Sequence, residues 1–311
     1  MVPLILELEA PMDRAEAMEI LVAAVDRGGF TAAAVHLGVT PSAVSKAITR
    51  LEQRLGVRLL ERTTRRIVPT PAGQDYLDSA RRIIGAIDDA EAVAMASGGR
   101  PQGRLRVNSG ISFAMRQLAP ALVAFGAAYP DIRLDLTVED RICDVIGEEL
   151  DVAIRTGPVT DERLVARRFA EIRRVIVASP AYLERHGVPK RPADLARHAC
   201  LAITTTADMA RWPFREDGQL SQITVQGPVR IGTAEGALAL ALADLGIARV
   251  GDMLAAPSIR EGRLVRLLPD THVDDPIPMH LVFPPGRQRL PKVRAFLDFV
   301  SARFSASPWR L

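Results

Sequence analysis

Six polar side chains on one short segment hold the clearest chemistry in this sequence. Ser42, Ser45, Lys46, Thr49, Arg50 and Gln53 share one side of a helical pattern, opposite Val44, Ala47, Ile48, Leu51 and Leu55 at i, i+3, i+4, i+7 spacing. Hydroxyls accept from or donate to base edges, while lysine and arginine reach guanine acceptors or phosphates, so this face suits a DNA major groove. A solvated face on an ordinary helical pair is the plainer alternative. No other site chemistry competes with it. His36, His186, His198, His272 and His280 are scattered, without the spacing of a metal site. There is no G-x-S-x-G elbow, P-loop or strand-borne G-x-G-x-x-G. An enzyme is therefore not expected, nor is any cofactor or metal.

The surrounding residues say how that face is held. Asp13 opens a helix with Glu16 three residues on, a capping-box pattern, and Met18, Leu21, Val22 and Val25 give it an apolar stripe. Gly28-Gly29 ends it. Thr31 caps a second helix that Gly38 ends, and Thr40 caps the third, with Pro41 in its first turn. Residues 56–70 then read as two short strands joined by a basic tip, with Arg62, Thr63, Arg65 and Arg66 placed to meet phosphates. Between Gly38 and Arg66 seven cations face two acids, leaving +5, while the whole 311-residue chain is only +3. Positive charge gathers where the polar face lies, as phosphate neutralisation requires.

The phrase FTAAAVHLGVTPSAVSKAITRLEQRLGVRLLERTTRRIVPTPAG, within Met18 to Leu77, resembles the N-terminal winged helix-turn-helix of the LysR-type transcriptional regulators. One departure is Pro41, where many members carry a base-bonding Gln. That shifts base reading to Ser42, Ser45 and Lys46. The resemblance implies operator DNA as partner, with Thr40, Pro41, Ser42, Ser45, Lys46, Thr49, Arg50, Gln53, Arg62, Thr63, Arg65 and Arg66 at the interface. The family's domain begins near Met12, so residues 1–11 read as an N-terminal extension, disordered or from a misplaced start codon. The winged domain then spans 12–70.

From Thr70-Pro71 a long helix is predicted over 71–97. Tyr76, Ile83 and Ala90 recur every seven residues, as do Ala80, Ile87 and Ala94, making a seam of nearly four heptads. Pairing with another copy is its expected use, packing within its own domain the alternative. The resemblance implies the same: a dimerisation helix, in a dimer or tetramer, that sets two recognition helices at spaced half-sites.

Residues 98–103 form a turn-rich hinge, and 104–311 alternate strands with helices. Expected elements include strands at 105–107, 132–138, 152–154, 171–178, 201–204, 229–231, 264–268 and 279–283, a helix near 144–149, a hairpin over 212–225, and a closing helix at 290–304. This order points to βαβ units with parallel sheets, in two α/β lobes, the late strand and last helix returning to the first. YPDIRLDL, DVAIRTG, VIVASPAYLERHG and KVRAFLDFV are similar to the effector domain of the family's CrgA-like branch. That implies an α+β multi-domain chain whose C-terminal part is a two-lobed, periplasmic-binding-protein-like effector domain.

Ligands collect beyond the carboxyl ends of strands in such sheets. The turn 108–112 opens a helix whose free N–H groups and dipole favour a carboxylate or other anion. Thr204-Thr205-Thr206 and Gly232-Thr233 follow strands of the second lobe. Ser109, Ser112, Thr204 and Thr233 are the expected effector contacts, with ordinary caps and turns as the alternative. Arg155 reads as a structural ion-pair partner. The effector is a small molecule, a carboxylate fitting best, and RNA polymerase is a further expected contact.

Apolar residues make up 48% of the chain and charged ones 25%, enough for real cores. Cys143 and Cys200 lie far apart and read as small packed hydrophobes in a reducing compartment, with a redox-sensing role as the alternative. No uninterrupted apolar stretch of about 18 residues suggests a membrane span. The opening run carries Glu7 and Glu9 and no basic residue, unlike a signal peptide. A cytoplasmic protein with no membrane partner is the expectation.

Overall fold

The computed structural model describes residues 13–62, 67–94, 100–204 and 207–311. They fall into two compact units, Met1–Ser97 and Gly98–Leu311. The expected extension at 1–11, the wing tip at 63–66, the end of the long helix at 95–97 and the start of the hinge at 98–99 lie outside the described residues.

In the first unit, helix α1 (Arg14–Asp26) is capped by Asp13, whose carboxylate accepts from Ala15 N at 3.4 Å rather than from the Glu16 amide. Helix α2 (Phe30–Leu37) starts one residue before Thr31, with Gly29 at its N-cap. Thr31 is therefore inside the helix rather than its cap. Gly28, at φ 74°, supplies the bend, and Phe30 packs on the core from the first turn. Gly38 ends α2 at φ 71°, the left-handed backbone a glycine takes cheaply. Helix α3 (Pro41–Leu55) has Thr40 at its N-cap, accepting from Ala43 N at 3.2 Å. Val44, Ala47, Ile48 and Leu51 are buried against α1 and α2, but Leu55, expected inside, is 40% exposed because α3 runs past the core.

Strands β1 (Leu60–Arg62) and β2 (Ile67–Pro69) pair antiparallel as the wing, with Arg62 opposite Ile67. The carboxylate of Glu52, on α3, accepts from Leu59 N at 2.9 Å and Leu60 N at 3.1 Å, so α3 anchors the first strand of the wing. Thr70 joins the wing to helix α4 (Pro71–Ala94). Its hydroxyl donates to Arg58 O at 2.8 Å and accepts from Gly73 N at 3.0 Å, while its amide donates to Leu59 O. Gly73 lies so close that a Cβ there would stand 1.9 Å from Leu59 O. Only glycine permits this approach.

The second unit opens with β3 (Gly103–Ser109). A continuous helix follows: α5 (Ile111–Phe113), a π-turn over Ala114–Leu118, and α6 (Ala119–Ala128). By length and composition Ile111–Ala128 is apolar enough to cross a membrane, yet Phe113, Leu118, Ala121 and Phe125 are core residues of the first lobe. Then come β4 (Ile132–Val138), β5 (Val152–Thr156), β6 (Val165–Ile172), β7 (Arg174–Ala178), α7 (Pro180–His186), β8 (Cys200–Ile203), β9 (Arg211–Glu216), β10 (Gln219–Thr224), β11 (Arg230–Ile231), α8 (Ala234–Leu242), β12 (Ile247–Gly251), α9 (Asp252–Arg260), β13 (Val265–Leu267), β14 (Ile277–Phe283) and α10 (Pro291–Phe304).

The helix expected near 144–149 is a run of turns instead. Only Val145 and Leu150 anchor it, Leu150 N donates to Val145 O, and Glu149 takes a left-handed φ of 54°. The single strand expected over 171–178 is broken at Arg173, where the chain leaves one sheet for the other. Both sheets are mixed rather than parallel. In the first lobe the order is β4-β3-β5-β14-β6, and in the second β11-β8-β12-β7-β13. β3, β4 and β5 are parallel, as are β8, β11 and β12, while β14 and β7, the strands entering through the two crossovers, run antiparallel to their neighbours. The late strand and α10 do return to the first lobe.

Candidate nucleic-acid interface and effector cleft

On α3, Ser42, Lys46, Arg50 and Gln53 are exposed beside Thr40 and Pro41, while Ser45 and Thr49 are partly buried. The Thr49 hydroxyl donates to Ser45 O at 2.8 Å, a back-bond to its own helix. Thr40 and Ser42 share a hydroxyl–hydroxyl bond of 3.1 Å at the cap. Lys46 and Gln53 thus stand outward from the helix with α1 and α2 behind it. Thr63, Arg65 and Arg66, expected at the interface, and the side chain of Arg62 lie outside the described residues.

Along α4 the two heptad series divide. Ala80 is fully buried within its own unit and Tyr76 packs partly on the same core. Arg81 pairs with Asp26 of α1 at 2.6 Å. Ala80, expected on the pairing seam, is therefore covered within its own unit. Ile83 at 44% and Ile87 at 38% exposure are open, as is Ala90; the side chain of Ala94 lies outside the described residues.

In the second unit Ser109 ends β3, Ser112 lies in the helix after it, and Thr204 and Thr233 follow β8 and β11. Ser109 is wholly buried and its hydroxyl donates to Gly110 O at 3.3 Å, so it offers a ligand nothing in this conformation. The reason is that β3 runs on to Ser109, one residue beyond the expected start of the loop. Ser112 is partly buried. Thr204 is exposed, its hydroxyl donating to Ile231 O at 3.2 Å, and Thr233 caps α8 by accepting from Gly236 N at 3.1 Å. Thr205 and Thr206 lie outside the described residues. The helix N-terminus expected to take an anion already has one: Ile111 N donates to the Asp140 carboxylate at 2.9 Å.

Arg155 is structural, though not through an ion pair. It donates to Asn108 Oδ1 at 2.6 Å and to the sulfur of Cys143, while Asn108 donates to Glu139 at 3.1 Å. Burial pushes the Cys143 thiol up despite Arg155 beside it, and pushes Cys200 up to about 12, so both stay protonated. A feature the sequence did not announce crosses between the lobes. Arg116, on the π-turn, donates from Nε and Nη2 to the Glu235 carboxylate on α8 at 3.0 and 2.7 Å. The partners are 119 residues apart, and no local pattern joins them. Among the described residues no group of three or more His, Cys, Asp or Glu is placed to hold a metal ion.

Residues 15–74 match the family described as bacterial regulatory helix-turn-helix protein, lysR family, and residues 98–305 match the LysR substrate binding domain. The HTH-type transcriptional regulator CrgA of Neisseria meningitidis serogroup C is 35% identical over 285 residues, 92% of this chain and 95% of that protein. DmlR of Escherichia coli K12, also an HTH-type transcriptional regulator, is 34% identical, covering 93% and 94%. The solved structure of CrgA from Neisseria meningitidis superposes with a TM-score of 0.63 at 33% identity, over 94% of this chain and 99% of that one.

Proposed function

The chain belongs to the LysR family of bacterial transcriptional regulators, DNA-binding proteins with an effector-binding domain rather than enzymes, and from that premise we propose how its residues divide the work. Helix α3 enters the major groove and reads base edges with Ser42, Ser45 and Lys46, while Arg50, Gln53 and the basic wing steady it on phosphates. The observation that carries this reading is the exposed Lys46 and Gln53 face on a helix whose opposite side is locked into the core. Ile83, Ile87 and Ala90 of α4 form the seam with a second copy, giving a dimer or a pair of dimers in the cytoplasm. A small polar effector lodges between the lobes of the second unit against Ser112, Thr204 and Thr233. An effector carboxylate would have to take the place of Asp140 at Ile111 N, so hydroxyl contacts rather than the helix end set its affinity. Effector occupancy changes lobe closure, and with it DNA bending or the contact with RNA polymerase.

Anisotropy titrations at fixed salt, against protected chromosomal fragments and shuffled duplex, test the DNA arm. Lys46→Ala weakens specific binding by about 1–3 kcal/mol, the worth of a good base contact, and shuffled duplex much less. Equal losses on both would remove Lys46 from base reading.

A further inference from the structure

The second lobe buries more positive charge than it neutralises. Arg173, in the first crossover, donates to the carbonyl of Asp274 at 2.9 Å and approaches its carboxylate at 3.4 Å. Arg266 takes the other oxygen of Asp274 at 3.0 Å. Asp252 accepts from the Arg173 and Met253 amides. The acids beside the crossover are thereby occupied, and two guanidiniums are left over. Arg249 is 7% exposed, and the side-chain hydrogen bond found for it runs from Nε to His272 Nε2 at 2.8 Å. His272 is itself buried, and its proton must sit on Nδ1 for Nε2 to accept. Arg174 is partly buried and no described carboxylate bonds to it.

These two cations are neighbours. Arg174 on β7 pairs across to Gly251 of β12, and Arg249 lies opposite Ile176, so both side chains leave the same face of the sheet. Gly251 presents no side chain between them. Two guanidiniums so placed repel, and buried charges are paired in stable proteins. Both have been lowered by burial, Arg249 to about 9 with Arg174 adding to the effect.

We propose that Arg174 and Arg249 form a binding site for a small oxyanion beside the first crossover, in the second lobe, separate from Ser112, Thr204 and Thr233. Planar guanidinium forks match the oxygens of a carboxylate or a phosphate, and the partly exposed Arg174 forms the entrance. The bound anion bridges β7 and β12 where the chain crosses between lobes.

Thermal-shift titration of the full-length protein in chloride-free buffer at constant ionic strength tests this, with inorganic phosphate in one arm and succinate in the other. The expected result is a rise in Tm with at least one of them, and the responding arm names the chemistry. Arg174→Gln and Arg249→Gln each raise the apparent Kd at least tenfold, and without anion Arg174→Gln is no less stable than the parent. Arg174→Gln, at the more exposed position, carries the test should Arg249→Gln not fold. No shift in the parent with either anion, or the same Kd in Arg174→Gln, overturns the site.

Discussion

His272 shows how a single side chain can be set by what surrounds it. Its imidazole is buried and lies near Arg249, Arg266 and Arg174 with only Asp274 opposing them, and burial followed by these cations lowers it from 6.5 to about 3. The folded chain therefore keeps His272 neutral while the unfolded chain protonates it below 6.5. Because the unfolded state then binds more protons, stability from this group is complete above pH 6.5 and declines as pH falls toward 3. The slope approaches about 1.4 kcal/mol per pH unit once pH is well below that value. His272→Gln, whose amide oxygen can still accept from Arg249, flattens this acid limb in urea unfolding measured from neutral pH downward. An unchanged limb would assign the acid sensitivity to other groups. None of this was legible in the sequence, where His272 is one of five isolated histidines. The Arg249 partner comes from a strand 23 residues away.

At the level of the element, what could be read depended on how local the determinants are. For α3 they all lie within the segment: Thr40 before it, Pro41 in the first turn, Gly56 after it, and four buried apolar residues at helical spacing. Sequence alone suffices for such a helix. For α4 the heptads were visible, but not which of them its own domain would use. That is decided within its own unit, where Ala80 is buried and Arg81 reaches Asp26 of α1 across 55 residues. Strand β6 escaped notice because residues 165–168 are all exposed, so no alternation marks its first half. The open part of α4 makes a definite prediction. Ile83→Glu with Ile87→Glu abolishes pairing while α4 stays folded, since both positions are exposed on the single chain. Each isoleucine contributes about 1 kcal/mol or more when covered, and replacing both with like charges adds repulsion. Sedimentation velocity should show a monomer with unchanged helix content; persistence of the oligomer would place its interface elsewhere.

The effector-binding unit behaves as a whole through contacts that span its lobes. The chain passes between the two sheets at the crossovers, and the Arg116–Glu235 pair adds a further tie between the lobes, with side-chain exposures of 48% and 21%. An ion pair this open contributes about 0.2–1 kcal/mol, enough to bias lobe closure without fixing it. Glu235→Gln and Arg116→Gln each shift closure up to about fivefold, and the double variant shifts it no further than either alone. Small-angle scattering with a four-variant cycle measures this; additive shifts would mean the pair does not hold the lobes. A stiffer junction sits in the other unit, at the root of α4. Thr70 and Gly73 weld the first turn of that helix to the backbone of Arg58 and Leu59, and Glu52 welds the same backbone to α3. Twenty-four residues of α-helix make a shaft about 36 Å long. With no slack at its base, a swing of about 6 Å at the distal tip amounts to roughly ten degrees of tilt, passed undamped to the polar face of α3.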